Sequence, residues 1–360
     1  MLNKIISFFV KKPIHFLLLA LPLAVIAEAA HWSALAIFAL SAAGVIPLAG
    51  LIGEATEVLA HKTGPKIGGL LNATLGNAAE LIITLIAIRA GLLELVKASI
   101  TGSILGNLLL VLGMSLLLGG LKNGSQKYDR RQAGSNAILL TLSVLALVIP
   151  SLFSFSIGGE GSAPVEYLSL GVAGVMILLY ALGLIYSLKV NNSPVTHQPE
   201  PSNSVPHWSV NFAILMLALS TLGVVLMSEI LVGAVEEVTA SLGLSEFFLG
   251  IILIPLVGNV AEHLVAVEMA IRNKMDLSVE IAVSSSLQIA LFVAPLLVFV
   301  SLWMGNPLTL IFNQFELLAV GAAVLITALV SGDGESNWLE GASLLAVYFI
   351  LGLAFFMLPA

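Results

Sequence analysis

Two glutamates, Glu80 and Glu262, each close a Gly-Asn-x-x-Glu cassette: Gly76-Asn77-Ala78-Ala79-Glu80 and Gly258-Asn259-Val260-Ala261-Glu262. The copies lie 182 residues apart in a chain of 360, each inside a stretch apolar enough to span a bilayer. A carboxylate at mid-membrane depth costs about 2.5–3.5 kcal/mol on insertion scales, so a matched pair needs a compensating role. Asn and Glu at i, i+3 share a helix face, presenting an amide oxygen and a carboxylate in one direction. Two such faces would bring two carboxylates and two amide oxygens to one point. Hard oxygen ligands suit Ca²⁺, which accepts 6–8 oxygens in flexible geometry. The implied chemistry is cation transport. The competing role is structural: Asn77 and Asn259 as interhelical hydrogen-bond glue, with each glutamate kept protonated.

The cassette glycines, Gly76 and Gly258, permit close helix approach or an interrupted helix that exposes backbone carbonyls. Pro255, three residues before Gly258, removes a helix hydrogen bond and predicts a break there. The following apolar stretch of each half has its own polar stripe, Thr101-Gly102-Ser103-Ile104-Leu105-Gly106-Asn107 and Ser284-Ser285-Ser286-Leu287-Gln288. Asn107 and Gln288 would add oxygens to the ion or its water, and Ser103 and Ser285 serve as ligands or as small packing residues. Glu54, Glu57, Glu236 and Glu237 read either as acidic funnels at the two mouths or as solvated helix ends. His263 directly follows Glu262, where it tunes the carboxylate, relays protons or fills a structural role.

These residues need a membrane scaffold, and the composition provides one. Apolar residues make up 59% of the chain and charged residues 10%, with a mean hydropathy of +1.07. Soluble domains average about a quarter charged. There are no cysteines, which excludes disulfides and thiolate zinc sites. The net charge of −7 and the absence of a basic run exclude nucleic acid as a partner.

Eleven apolar segments approach the roughly 20 residues that a spanning helix needs. They fall near 14–30, 32–60, 67–88, 95–119, 136–153, 165–188, 209–235, 245–271, 277–304, 311–331 and 338–357. Runs this long and apolar are helices, because lipid offers no partner for an open backbone. The first resembles a signal peptide, with Lys4, Lys11 and Lys12 before the run and Ala27-Glu28-Ala29 after it. A retained helix is expected, since a polytopic chain needs no cleavable signal.

With the N-terminus cytoplasmic, the inner segments collect twelve of the fourteen Lys and Arg residues, leaving Arg89 and Lys97 outside. The C-terminus then lies outside. The 182-residue offset also pairs Gly68 with Gly250, Glu94 with Asp276, Leu95 with Leu277, Ser103 with Ser285 and Glu54 with Glu236. The expected fold is an all-α polytopic membrane protein of about 11 transmembrane helices, helix 1 plus two five-helix repeats. Five is odd, so the second repeat is inverted, a recurring transporter plan with the site near the midplane. The chain divides into residues 1–31 with helix 1, a first repeat at 32–188, a cytoplasmic linker at 189–208 rich in Pro, Asn and Ser, and a second repeat at 209–360.

Gly-Asn-Ala-Ala-Glu-Leu at 76–81, Gly-Asn-Val-Ala-Glu-His at 258–263, Lys274-Met275-Asp276-Leu277 and Ser284-Ser285-Ser286-Leu287-Gln288-Ile289 resemble the signature regions of Ca²⁺/H⁺ antiporters, the CAX branch of the cation/Ca²⁺ exchanger superfamily. The resemblance runs over about residues 33–357. It implies alternating-access exchange of Ca²⁺ for H⁺, with Glu80 and Glu262 as shared sites, no cofactor, and assembly as a homotrimer. The short chain suggests a prokaryotic plasma (inner) membrane. Many such antiporters carry an acidic run between the halves, whereas residues 189–208 contain only Glu200. A cation channel and a Na⁺/H⁺ exchanger are the alternatives for the same carboxylates. An intramembrane hydrolase is disfavoured by the lack of H-E-x-x-H and G-x-S-x-G motifs, so no enzyme is expected.

Overall fold

The computed structural model describes residues 13–189 and 208–358. Eleven helical segments cross it, each within a few residues of its sequence-derived position. They are α1 (Pro13–Ala29), α2 (Ala34–Thr63), α3 in two pieces (Pro65–Leu75 and Ala78–Arg89), α4 (Leu93–Asn123), α5 (Arg130–Ile157), α6 (Ala163–Lys189), α7 (Val210–Gly233), α8 (Glu246–Ile271), α9 (Met275–Met304), α10 (Gln314–Val330) and α11 (Trp338–Phe356). Eight are long and apolar enough to span a bilayer unbroken; α1 and α10 are shorter, and α3 is interrupted. Two-residue strands β1 (Gln126–Lys127) and β2 (Glu335–Ser336) pair antiparallel, tying the α4–α5 loop to the α10–α11 loop. Segments 189–208 and 1–31 of the expected division fall partly outside the described residues.

Burial separates the core from the lipid-facing rim. Almost all of α4 from Leu95 to Leu109 is buried, as is α9 from Ala282 to Leu291. By contrast α5, α6 and α7 expose large apolar side chains such as Ile138, Leu178 and Leu222. A hydrocarbon surroundings explains that pattern, because an aqueous one would leave these side chains at a cost. The chain is a multi-pass integral membrane protein.

Glycines set the closest helix contacts. A Cβ on Gly102 of α4 would strike the Ile251 carbonyl of α8, and one on Gly250 of α8 would come within 2.7 Å of Ala98 Cβ on α4. Between α2 and α7, a Cβ on Gly44 would lie 2.9 Å from Met227 Sδ, and one on Gly223 2.9 Å from Leu48 Cδ1. Small residues allow such approaches where lipid supplies no net hydrophobic drive between helices.

Among the described residues three π turns interrupt the long core helices: Gly106–Val111 in α4, Leu249–Leu253 in α8 and Ile289–Val293 in α9. Those of α4 and α9 fall at equivalent positions of the two repeats, with Asn107 inside the first and Gln288 just before the second. Such bulges concentrate at functional sites, because they re-aim the side chains around them.

Candidate functional site

The two cassettes occupy the middle of the bundle on helices of different build. In the first half the helix stops at Leu75 and restarts at Ala78, with Asn77 at φ −99°, ψ 30° between the pieces. Glu80 therefore sits in the first turn of a new helix, where unpaired N–H groups favour a negative charge. In the second half α8 runs unbroken from Ile254 through Glu262. The break expected at Pro255 is thus found at the other cassette. Pro255 lies in the first turn after the π turn of α8, a position where its missing N–H is absorbed by the widened ladder. In the first half, Gly76 and the turn conformation of Asn77 break the helix without a proline.

The cassettes interlock reciprocally. A Cβ on Gly258 would come within 2.8 Å of Glu80 Oε1, and one on Gly76 within 3.4 Å of Glu262 Oε1 and 3.6 Å of Gln288 Oε1. Glu80 thus fills the space that a side chain on Gly258 would need, whereas Glu262 meets the Gly76 position at ordinary van der Waals distance. Glu80 is 5% exposed and Glu262 half-buried.

Hydrogen bonds connect the cassettes to the polar stripes across the repeat. Asn77 Nδ2 donates to Gln288 Oε1 at 2.7 Å, and Ser285 Oγ donates to Asn77 Oδ1 at 3.0 Å. Asn107 Nδ2 in turn donates to Ser285 Oγ at 3.0 Å. In the mirror-related position, Asn259 Nδ2 donates to Ser103 Oγ at 3.2 Å and to the Pro255 carbonyl at 3.0 Å. Asn77 meets Ser285 as Asn259 meets Ser103, which is the relation expected of two inverted copies. Glu80 Oε1 and Asn259 Oδ1 are buried acceptors with no hydrogen-bond partner among the described residues.

All ten inner residues of the sequence reading, Gly76, Asn77, Glu80, Ser103, Asn107, Gly258, Asn259, Glu262, Ser285 and Gln288, belong to this cluster. The outer four do not join it as a set. Glu54 is half-buried on α2 with His15 Nε2 of α1 at 4.0 Å, and Glu57 is half-buried one turn further on. Glu236, its repeat partner, is exposed on a separate short helix, Val235–Leu242, after α7 ends at Gly233. The symmetry of Glu54 and Glu236 is therefore one of sequence and not of environment. His263 buries its Nε2 without a hydrogen-bond partner among the described residues.

Two buried charged groups escaped the sequence reading because neither has a charged counterpart in the other repeat. Glu316 of α10 is 1% exposed; its Oε1 accepts from Thr101 Oγ1 at 3.1 Å and its Oε2 from Asn313 N at 2.9 Å. Lys97 of α4 is 3% exposed and donates to Glu94 at 2.8 Å and Glu160 at 2.5 Å. Both lie toward the end of α4 remote from β1 and fasten that end to its neighbours. Among the described residues no group of three or more His, Asp or Glu side chains could hold a metal ion. Any cation held by two carboxylates alone would need amide, carbonyl or water oxygens to complete its shell.

Fold and site together define a helical membrane protein of two inverted five-helix halves whose Gly-Asn-x-x-Glu cassettes pack against each other. The chain belongs to the sodium/calcium exchanger protein family, whose pattern matches residues 33–189 and 212–357. It is 45% identical to a Ca²⁺/H⁺ antiporter of Aphanothece halophytica over 100% of this chain and 98% of that protein. It is also 45% identical to the Ca²⁺/H⁺ antiporter ChaA of Bacillus subtilis (strain 168), over 96% of this chain and 99% of that one. The solved structure of native YfkE superposes with a TM-score of 0.84 at 43% identity, covering 96% of this chain and 100% of that chain.

Proposed function

We propose that this protein is a Ca²⁺/H⁺ antiporter of a prokaryotic plasma membrane, working by alternating access. Its full-length relatives named Ca²⁺/H⁺ antiporters support the class of transport. The observation that carries the mechanism is the meeting of the two cassettes, Glu80 seated closely against Gly258 and Glu262 in contact with the Gly76 position.

In this reading Ca²⁺ is cargo, held between Glu80 and Glu262. Asn77, Asn259, Ser103, Ser285, Asn107, Gln288 and the backbone around Gly76 and Gly258 line the site, supplying oxygens to the ion or holding in place the groups that do. An empty, doubly ionised pair in low dielectric is costly, since two like charges there are neither hydrated nor compensated. Ca²⁺ or protons relieve that cost at the same oxygens, and each therefore excludes the other. The site crosses between faces either loaded with Ca²⁺ or neutralised by protons, and this exclusion couples the two flows. His263 beside Glu262, and Glu54, Glu57 and Glu236 toward the mouths, are the groups through which protons and cations would approach. Residues 32–188 and 209–360 act as the two halves, joined by a cytoplasmic linker at 189–208, with the N-terminus inside and the C-terminus outside. A homotrimer is the proposed assembly.

Ca²⁺ uptake into proteoliposomes under an imposed pH gradient, with Na⁺ and K⁺ varied, tests the proposal. Obligatory counter-flow of protons supports it. Conductance without coupling would indicate a channel, and Na⁺-for-H⁺ exchange without Ca²⁺ movement would indicate the other exchanger.

A further inference from the structure

The two cassette asparagines are repeat equivalents, yet their amides are committed differently. Both polar atoms of Asn77 are engaged by protein: one by Ser285 Oγ at 3.0 Å, the other by the Gln288 side chain at 2.7 Å. Hydroxyl and carboxamide partners can each donate or accept, so turning the Asn77 amide over leaves both of its atoms engaged. Asn259 has no such freedom. Its amide faces the Pro255 carbonyl at 3.0 Å, and a carbonyl can only accept, so the atom turned toward Pro255 is the nitrogen. Its Oδ1 is left buried without a hydrogen-bond partner among the described residues, in a residue 1% exposed.

A second buried acceptor without a partner among the described residues, Glu80 Oε1, rests against Gly258, the residue before Asn259. Buried acceptors are nearly always satisfied, and leaving one empty costs about 1–3 kcal/mol. A divalent cation satisfies several oxygens at once, which no single hydrogen-bond donor does.

Building on the proposed transport site, we infer that the two asparagines divide the work. Asn259 supplies an amide oxygen directly to the divalent cation, together with Glu80 and Glu262. Asn77 is a positioning residue: it pins the interruption of α3 to α9 through Ser285 and Gln288, with Asn107 holding Ser285 from α4. The reason lies in the helix interruption. Asn77 sits between two helix pieces and needs its side chain to fix them, whereas Asn259 sits in a continuous helix that holds itself. The inverted repeat is thus symmetric in sequence and asymmetric in ligation.

The test is Ca²⁺ binding to the purified full chain by calorimetry, paired with transport kinetics in proteoliposomes. Asn259→Leu should weaken Ca²⁺ binding at least about tenfold, which is about 1.4 kcal/mol, while flux at saturating Ca²⁺ falls less. Asn259→Asp restores an oxygen at the same place and should recover the affinity to within about threefold. Asn77→Leu, Gln288→Leu and Ser285→Ala should share the opposite profile, with affinity within about threefold and a slowed maximal rate. Glu262→Gln is the control for the underlying site. If Glu262→Gln binds Ca²⁺ normally, the carboxylate site itself is wrong. If Glu262→Gln loses binding while Asn259→Leu keeps it, or Asn77→Leu loses as much as Asn259→Leu, only the division of labour is overturned. Should Asn259→Leu fail to fold, Asn259→Asp decides alone: normal affinity supports the inference, and a loss as large as that of Glu262→Gln overturns it.

Discussion

Glu80 Oε1 occupies the space beside Gly258 so closely that a Cβ there would come within 2.8 Å of it. The relation joins a carboxylate from the first half to a glycine from the second, and Glu262 with Gly76 makes the reciprocal but looser contact, at 3.4 Å. Neither glycine is explained by backbone conformation, since neither has a positive φ. Gly258 is a glycine because a carboxylate lies where its side chain would be, whereas a Cβ on Gly76 would first meet the Asn72 carbonyl at 2.8 Å.

Gly258→Ala should therefore impair transport more than it impairs folding. The added methyl displaces the Glu80 carboxyl group, and forced repacking of this kind costs about 1–3 kcal/mol. Expected are a Ca²⁺ affinity weaker by about tenfold or more and a thermal midpoint in detergent lowered by only a few degrees. Unchanged Ca²⁺ affinity in Gly258→Ala would contradict the close seating of Glu80.

Glu80→Gln and Glu262→Gln keep side-chain volume while deleting the titratable charge. Proton-driven Ca²⁺ uptake should fall at least about a hundredfold in either, with insertion and yield retained. Glu57→Gln and Glu237→Gln, outside the central cluster, should be milder. Near-normal uptake in either central variant would sink the assignment of the pair.

Protons and Ca²⁺ compete for the same oxygens in the proposed mechanism, which fixes the sign of the pH effect. Lowering the pH fills the carboxylates with protons, so apparent Ca²⁺ affinity should weaken as pH falls from about 8 to about 6, with protons released on Ca²⁺ binding. Calorimetry in buffers of different ionisation enthalpy reads both quantities. A flat affinity with no proton release would leave the shared site unsupported.

Packing between α4 and α8 gives a prediction about stability. Gly102→Leu drives a side chain into the Ile251 backbone, which cannot turn aside. The variant should be strongly destabilised in detergent, by several degrees or to the point of lost expression, whereas Gly53→Ala, with open space around its Cβ position, should be near neutral. Equal behaviour of the two would remove the close crossing.

Topology gives the last prediction. A label at 158–161 should react from outside and one at 197–203 from inside. Reaction of both loops from one face would overturn the inverted arrangement of the halves.

Much of this protein was determined by local chemistry. Apolar runs of spanning length fix eleven helices within a few residues, because lipid leaves a backbone no alternative. The Gly-Asn-x-x-Glu duplication names the central residues, since a carboxylate in hydrocarbon is too costly to be incidental. What no local pattern contains is the partner across the bundle. Which cassette helix breaks was decided by the tertiary structure: Pro255 is the stronger local breaker, yet the interruption falls at Asn77, whose side chain is captured by Ser285 and Gln288. The buried Glu316 and Lys97 have no charged repeat counterpart to reveal them, and Thr101, Glu94 and Glu160 become their partners only on packing. The repeat likewise equates Asn77 with Asn259, and Glu54 with Glu236. An internal duplication copies residue types, but each copy is then surrounded by different neighbours, and hydrogen bonding depends on those neighbours. Only the folded chain separates the asparagine whose oxygen is taken from the one whose oxygen is left open.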